Sequence, residues 1–463
     1  MKKWMNWLLV SAIGFLLMGI AYWGYQRQTP LGPWGDSFMV IGKGAPEAVP
    51  HGPTYQKIRL RLLPLTRRAE PFLLLARSFG PNVEKSYRVA LQGKLFLYPN
   101  LERAFTNSML QWGRLPRPGS NEVLAGGQVI AQQQLVVKDK TFSVVGRLKK
   151  GVFPFMNGYL ANDDPALAGL FDLKDESVQD AYIISPSSEA RNDLDPRKRL
   201  TASFPENRFT AYVPLLRSEP RPFLAYLAGL CLLLLGGGVI LFQVYCFLAD
   251  RLKTNWLQRP LAEIRSSKYL FLTLHVIFFG TVILFMLFAY QLPELQLGLN
   301  MGIRSVVLSG KGALGLAGKA YLSRNMPLAA VVTFGVNFLV GALLQLTLPS
   351  MIVPGSGIFL GWFRSLMWGL LLAPSDATLS KMMLTHGFTL FLEGEGYILS
   401  LFFGLMIPIY LFRKNEGARL IERYGKALRL NLGGAILVAI VLMIAAIYEA
   451  VEVILMMNLH DRI

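Results

Sequence analysis

Charge and sulfur are scarce in this chain. Of 463 residues only 16% are charged, and there are two cysteines and four histidines. Soluble proteins average roughly 25% charged residues, so an ordinary soluble enzyme is excluded first. Cys231 and Cys246 lie in one apolar run, fifteen positions apart. On a helix that is about 22 Å of rise, which no disulfide bridges. The four histidines (His51, His275, His386, His460) and the lack of any Cys-x-x-C leave no metal constellation by spacing.

Sequence signatures of energy-yielding or hydrolytic chemistry are missing too. A phosphate loop needs G-x-x-x-x-G-K-[ST]. The nearest approach, Gly318-Lys319, has Ala313 for the first glycine and Ala320 for the hydroxyl. There is no His-Glu-x-x-His for zinc, and Gly355-Ser356-Gly357 lacks the frame of a nucleophile elbow. The formal net charge of +18 comes without a helix-turn-helix, zinc-finger or RNA-binding signature. It implies no nucleic-acid partner, and no cofactor is expected.

What the chain has instead is long apolar runs, each near the roughly 20 residues that cross a bilayer. The first, from about Trp7 to Trp23, follows Met1-Lys2-Lys3. The Gly-Tyr-Gln-Arg-Gln-Thr-Pro after it offers no small-x-small cleavage site, so an anchor is expected over a cleaved signal. Further spans are expected near 223–249, 270–292, 327–348, 352–373, 388–412 and 430–457. Between the first and second, residues 26–221 are polar enough to fold in water. Lys140–Gly146 and Asp180–Ile184 alternate like strands, and Leu101–Trp112 carries helical spacing. The fold class expected is a polytopic α-helical membrane protein of about seven transmembrane helices. An exported α+β domain is inserted between helices 1 and 2. The divisions are an anchor at 1–25, the α+β domain at 26–221, a second span with its basic loop at 222–268, and five helices at 269–463.

Basic residues set orientation. Arg251, Lys253, Arg259, Arg265 and Lys268 crowd one loop. Arg413, Lys414, Arg419, Arg423, Lys426 and Arg429 crowd another. If all seven runs span, both loops fall on the side of Met1, which becomes cytoplasmic. Residues 26–221 and the C-terminus then lie outside. Within 293–326, Arg304, Lys311 and Lys319 share one helical face, as in a helix lying in the outer interface or a gating segment. Trp4, Trp7, Trp23, Tyr269 and Tyr290 sit at run ends, as interface belts do.

Ionisable groups inside such runs are costly and usually face a bundle interior. They are Arg364, His386, Glu393, Glu395, Glu449 and Glu452, the first four being the candidates for a site. On a helix His386 and Glu393 share a face and Glu395 points elsewhere. Three readings are open: an Arg–carboxylate pair locking helices together, a substrate or proton path, or a hydrolytic site. Glu449 and Glu452 read as snorkelling or capping groups, His275 as a hydrogen-bonded packing residue, and Asn337 and Gln345 as interhelical glue.

Two resemblances add expectations. Gly113-Arg-Leu-Pro-Arg-Pro-Gly-Ser-Asn-Glu-Val-Leu-Ala-Gly126, followed by Phe142-Ser-Val-Val-Gly146, resembles the periplasmic core domain of MacB/FtsX-type permeases over about 26–221. Leu261-Ala-Glu-Ile-Arg265 resembles, faintly, the segment by which such permeases touch a separate ATPase. Arg324-Asn325, Gly335-x-Asn337 and Thr385-His386-Gly387 followed by Glu393 resemble the SpoIIM family (stage II sporulation protein M) over about 269–457. The His-to-Glu gap is longer here than that family's pattern, and seven helices exceed the four of an FtsX-type permease. Together they imply a non-catalytic subunit of a bacterial inner membrane. Its outer domain would bind an envelope partner or substrate. A separate ABC-type ATPase would dock on Arg251, Lys253, Arg259, Glu263, Arg265 and Lys268. The other open reading is an intramembrane enzyme or proton-coupled transporter using Arg364, His386, Glu393 and Glu395.

Overall fold

In the computed structural model the chain divides into two compact units. One comprises Met1–Gln26, Ser218–Leu292 and Ile303–His460; the other is built mainly from Arg27–Arg217. The structure describes residues 2–26, 38–42, 55–64, 92–127, 129, 133–149, 158–184, 209–212, 220–252, 255–291, 312–375, 377–412 and 419–460. Isolated positions within 73–88 and 296–310 are also described. Lys253, Arg304, Lys311, Arg413 and Lys414 lie outside the described residues, as does His51.

Among the described residues the polar unit forms a mixed sheet of ten strands. They are β1 (Phe38–Gly42), β2 (Tyr55–Leu62), β3 (Lys94–Tyr98), β4 (Leu110–Gly113), β5 (Glu122–Ala125), β6 (Gln134–Val137), β7 (Lys140–Leu148), β8 (Gly158–Asn162), β9 (Val178–Ile184) and β10 (Phe209–Tyr212). Their order is β10-β1-β9-β2-β3-β8-β5-β7-β4, with β6 added to β7. β3 runs parallel to β8 and β5 parallel to β7; the other pairings are antiparallel. Successive residues of a strand point to opposite faces, and here both faces are covered. Phe96 and Tyr98 pack with Leu60, Leu124 and Leu160, while Leu95 and Leu97 pack with Val123, Phe142 and Phe171. The strands expected at Lys140–Gly146 and Asp180–Ile184 are β7 and the end of β9.

The expected helix Leu101–Trp112 is corrected. Only Leu101–Ala104 is helical, capped by the Asn100 side chain; Phe105 is already extended. Asn107–Met109 forms one 3-10 turn, and Leu110–Gly113 joins the sheet. Burial of Phe105 and Leu110 in the sheet core and pairing with β7 override the local helical periodicity.

The glycine-rich segment after it closes on itself. Arg114 donates from both terminal nitrogens to Glu122, at 2.7 and 2.5 Å, and the Arg117 amide donates to the same carboxylate at 3.0 Å. Ser120 donates to the Arg117 carbonyl at 2.6 Å. The buried Asn162 amide donates to Pro116 O and accepts from Leu101 N. Gly113 has a φ of +80°, and a Cβ there would strike the Val145 backbone. The Arg114 guanidinium holds Glu122 down at about 2. Asp175, hydrogen-bonded by Ser177, Lys138 and Arg61, also lies far below the usual carboxylate range.

The apolar unit is helical. Its elements are α1 (Lys2–Gln26), α2 (Pro220–Arg251), α3 (Asn255–Ser266), α4 (Lys268–Gln291) and α5 (Gly312–Leu322), then α6 (Met326–Ile352), α7 (Ser356–Leu372), α8 (Ala377–Phe412) and α9 (Leu420–His460). Among the described residues six helices are long and apolar enough to cross a membrane: α1, α2, α4, α6, α8 and α9. This is a multi-pass membrane protein. The seventh expected run, 352–373, is α7, an apolar helix of 17 residues. It is shorter than expected because Val353 to Gly355, with Gly355 left-handed at φ +94°, form the turn that separates it from α6. α1 lies along α2, where Gly14 and Gly229 meet so closely that a Cβ on either would stand 2.5 Å from the other's carbonyl. Small residues allow this approach where lipid gives no hydrophobic drive to association. The middle of α6, Val336–Thr347, winds as a π-helix, a distortion frequent at functional sites. Asn337 and Gln345 both lie in it.

Candidate functional site

α8 carries a polar stripe. At 100° per residue, Thr385, His386, Thr389, Glu393 and Tyr397 fall on one side and Glu395 on the other. From His386 to Tyr397 the stripe runs about 16 Å. Three neighbouring helices supply its partners.

Nearest the start of α8, the Glu452 carboxylate on α9 accepts from Thr385 Oγ1 at 2.8 Å and Thr389 Oγ1 at 2.7 Å. His386 Nδ1 stands 3.5 Å from the same group. Tyr448, on α9, donates to the Thr385 carbonyl at 3.3 Å. Two turns further, Glu393 accepts from the Asn337 amide of α6. Its carboxyl lies within hydrogen-bond reach of that of Glu449. Tyr321 of α5 also reaches Glu449 and accepts from Thr333 Oγ1 at 2.9 Å. One turn on, Arg364 of α7 donates to Tyr397 Oη at 2.5 Å and Gln345 Oε1 at 3.0 Å. Its guanidinium lies 3.9 Å from the Tyr397 ring centroid and 5.7 Å from that of Trp368. Its Nε is buried and has no hydrogen-bond partner among the described residues.

The structure brings three of the four candidates, Arg364, His386 and Glu393, onto this stripe. Glu395 is not among them. It is fully buried on the opposite side of α8, where His275 Nε2 lies 2.6 Å from Oε2 and Tyr245 donates to Oε1 at 2.9 Å. Two expectations are corrected. Arg364 forms no ion pair among the described residues; it holds its helix through neutral acceptors and ring faces, because Tyr397 and Gln345 reach it first. Glu449 and Glu452 are not snorkelling or capping groups. The docking of α9 on α8 turns both inward, as facing partners of Glu393 and His386. The signal that could have found them is their spacing: two carboxylates three apart share a face of an otherwise apolar helix.

Of the loop residues, Arg259 on α3 is exposed, whereas Leu261 and Ile264 are buried. Arg265 pairs with Asp250 at 2.5 Å. Arg251 lies over the Phe247 ring and Lys268 over that of Tyr269. Glu263 accepts from Tyr410 of α8 at 3.0 Å, so it fastens α3 rather than facing outward. Among the described residues no group of three His, Cys, Asp or Glu side chains is placed to hold a metal ion.

Comparison of the chain with known proteins finds no matching family model, no similar curated protein and no similar solved structure. The likeness to the MacB/FtsX and SpoIIM families rests on the quoted residues alone.

Proposed function

We propose that this chain is a non-catalytic, permease-like subunit of a bacterial inner membrane whose helical unit couples its movements to protons. The observation that carries this is the facing pair Glu393 and Glu449. Like charges in a low-dielectric interior disfavour joint ionisation, so the two carboxyls hold one proton between them. That leaves the pair with one negative charge, opposite the single positive charge of Arg364. His386 with Glu452 extends the protonatable row toward the start of α8, and such rows mark proton relays in transporters. Asn337, on the π-helical stretch of α6, fixes Glu393. Tyr397 and Gln345 fix Arg364. The test is a full chain reconstituted in vesicles that contain a pH-sensitive dye. A potassium diffusion potential drives protons inward, and E393Q and E449Q should slow the internal acidification at least tenfold. Equal rates for wild type and both variants would sink the proposal.

A second reading is favoured by α3. It is an amphipathic helix between two spans, it buries Leu261 and Ile264, and Glu263 ties it to the site helix through Tyr410. If α7 spans, the positive-inside rule puts α3 in the cytoplasm and the polar unit outside, free to bind an envelope partner. The face with Arg251, Arg259 and Lys268 then suits the acidic surface of an ABC-type ATPase. Reversing these three charges should strip a co-purifying ATPase from the subunit in native membranes; its retention would overturn the docking.

A further inference from the structure

Among the described residues the stripe leaves one buried carboxyl of the helical unit unused: Glu395, with its two partners. Tyr245 comes from α2, His275 from α4 and Glu395 from α8. All three are buried, Glu395 completely. Phe271 and Phe279 ring the imidazole, the former edge-on at 4.6 Å between centroids, and Phe402 closes against Phe271 at 5.5 Å. On the α2 side Gly238 leaves room for the imidazole; a Cβ there would come within 3.0 Å of it.

The hydrogen bonds fix how many protons this cluster contains. His275 Nδ1 lies 2.9 Å from the Phe271 carbonyl, one turn back in α4. A carbonyl only accepts, so Nδ1 carries a hydrogen. A neutral imidazole has one such hydrogen, which leaves Nε2 bare. Yet Nε2 stands 2.6 Å from Glu395 Oε2, and two bare lone pairs do not approach that closely. A proton lies between them. It belongs either to an imidazolium facing a carboxylate or to a carboxylic acid facing an imidazole. Both descriptions hold one proton more than neutral histidine plus ionised glutamate, and both are neutral overall. Tyr245 cannot supply it, because its hydroxyl hydrogen already points at Oε1.

The geometry points to His275–Glu395 as a buried proton-binding site that fastens α4 to α8, with Tyr245 holding α2 to the same carboxyl. With the proton in place the contact is a strong hydrogen bond. Without it, a buried carboxylate faces a nitrogen lone pair, and α4 and α8 are pushed apart. The proton therefore leaves only as the helices separate. Among the described residues Tyr245 and His275 are the titratable side chains hydrogen-bonded to Glu395; Cys246, next to Tyr245 in sequence, is a partly exposed free thiol. His386 and Glu393 occupy the other side of α8, so this helix carries protonatable groups on two opposed faces. The inference stands independently of whether the stripe drives transport.

The test is the pH dependence of thermal unfolding of the full chain in detergent, read by a thiol-reactive dye on Cys231 and Cys246. H275L leaves Glu395 alone in the interior, where it must fold protonated. Unfolding exposes the carboxyl to water, where it ionises and gives up that proton at neutral pH. Stability falls as pH rises, and between pH 5.5 and 8.5 the melting temperature of H275L should drop by about 2–4 °C per pH unit. The H275L/E395Q double variant should be flat over the same range. The wild type, which holds the same extra proton, should fall likewise above about pH 6.5, whereas E395Q, whose amide can donate to Nε2 and still accept from Tyr245, should lack that fall. A wild-type profile as flat as that of E395Q above about pH 6.5 would overturn the proposal. Should H275L fail to fold, 15N-histidine solid-state NMR of the wild type decides it, the His275 signal being the one that E395Q moves. A protonated Nδ1 with a second hydrogen shared at Nε2 supports the site; a bare Nδ1 overturns it.

Discussion

The charge count around Arg364 makes a prediction about non-additivity. With one proton between Glu393 and Glu449, the site sums to zero. E393Q or E449Q leaves one carboxylate, so the sum stays zero, and the amide preserves shape and hydrogen-bonding capacity. Each single variant should lose about 1 kcal/mol, the worth of one hydrogen bond. The double variant removes the last negative charge. Arg364 is then an unbalanced, half-buried cation whose partners among the described residues are Gln345, Tyr397 and the Trp368 face. Removing one side of a fully buried charge pair costs about 3–5 kcal/mol; half-buried Arg364, which makes no ion pair among the described residues, belongs at the lower end, so the double variant should fall below the sum of the singles by about 1 kcal/mol, a coupling of the size expected for groups in one network. R364M in the wild-type background should be about as harmful as the double variant, leaving the negative charge unbalanced. R364M added to the double variant should recover most of the loss. Thermal unfolding of the full chain reads this at about 2–4 °C per kcal/mol. A double variant no worse than the sum of its singles would refute the charge count.

Two predictions concern the polar unit. Glu122 is held at about 2 by Arg114, below its unfolded value of about 4.3. The pair thus stabilises the fold above that value, and its contribution disappears as pH falls toward about 2. Because Arg114 is exposed, solvent screening keeps the amount small. Pepsin cleavage within 110–126 should rise between pH 4 and pH 2 in wild type, and already be high at pH 4 in R114A. Equal cleavage of the two at pH 4 would count against the clamp. Gly113→Ala places a side chain on left-handed backbone and against the Val145 carbonyl. It should cost about 2–3 kcal/mol, measured as lost resistance of this unit to proteolysis; wild-type resistance would show that the turn relaxes freely.

Much of the architecture is written locally. Six runs appear as long apolar helices because a bilayer demands about 20 apolar residues in succession, whatever surrounds them. β7 and the end of β9 follow from alternation, since a strand's two faces differ at every step. The segment 101–112 misleads because its helical spacing competes with sheet pairing, and the buried Phe105 and Leu110 decide in favour of the sheet. Likewise, Arg114 and Glu122 sit in a recognisable motif, but nothing in their order shows that they clamp each other.

The candidate site divides the same way. Spacing alone put His386 and Glu393 on one face of a helix and Glu395 on the other, because 3.6 residues per turn is a property of one helix. The partners come from other helices, at sequence separations of 56 for Asn337 and Glu393 and 120 for His275 and Glu395. No periodicity encodes which helix docks on which face. Packing brought Glu449 and Glu452 inward and gave Arg364 a tyrosine instead of a carboxylate. It also made His275, outwardly a packing residue, one half of a shared proton. The sequence determined which faces are polar. Only the tertiary structure decided which polar faces meet, because in lipid that choice rests on close packing and on buried hydrogen bonds across helices.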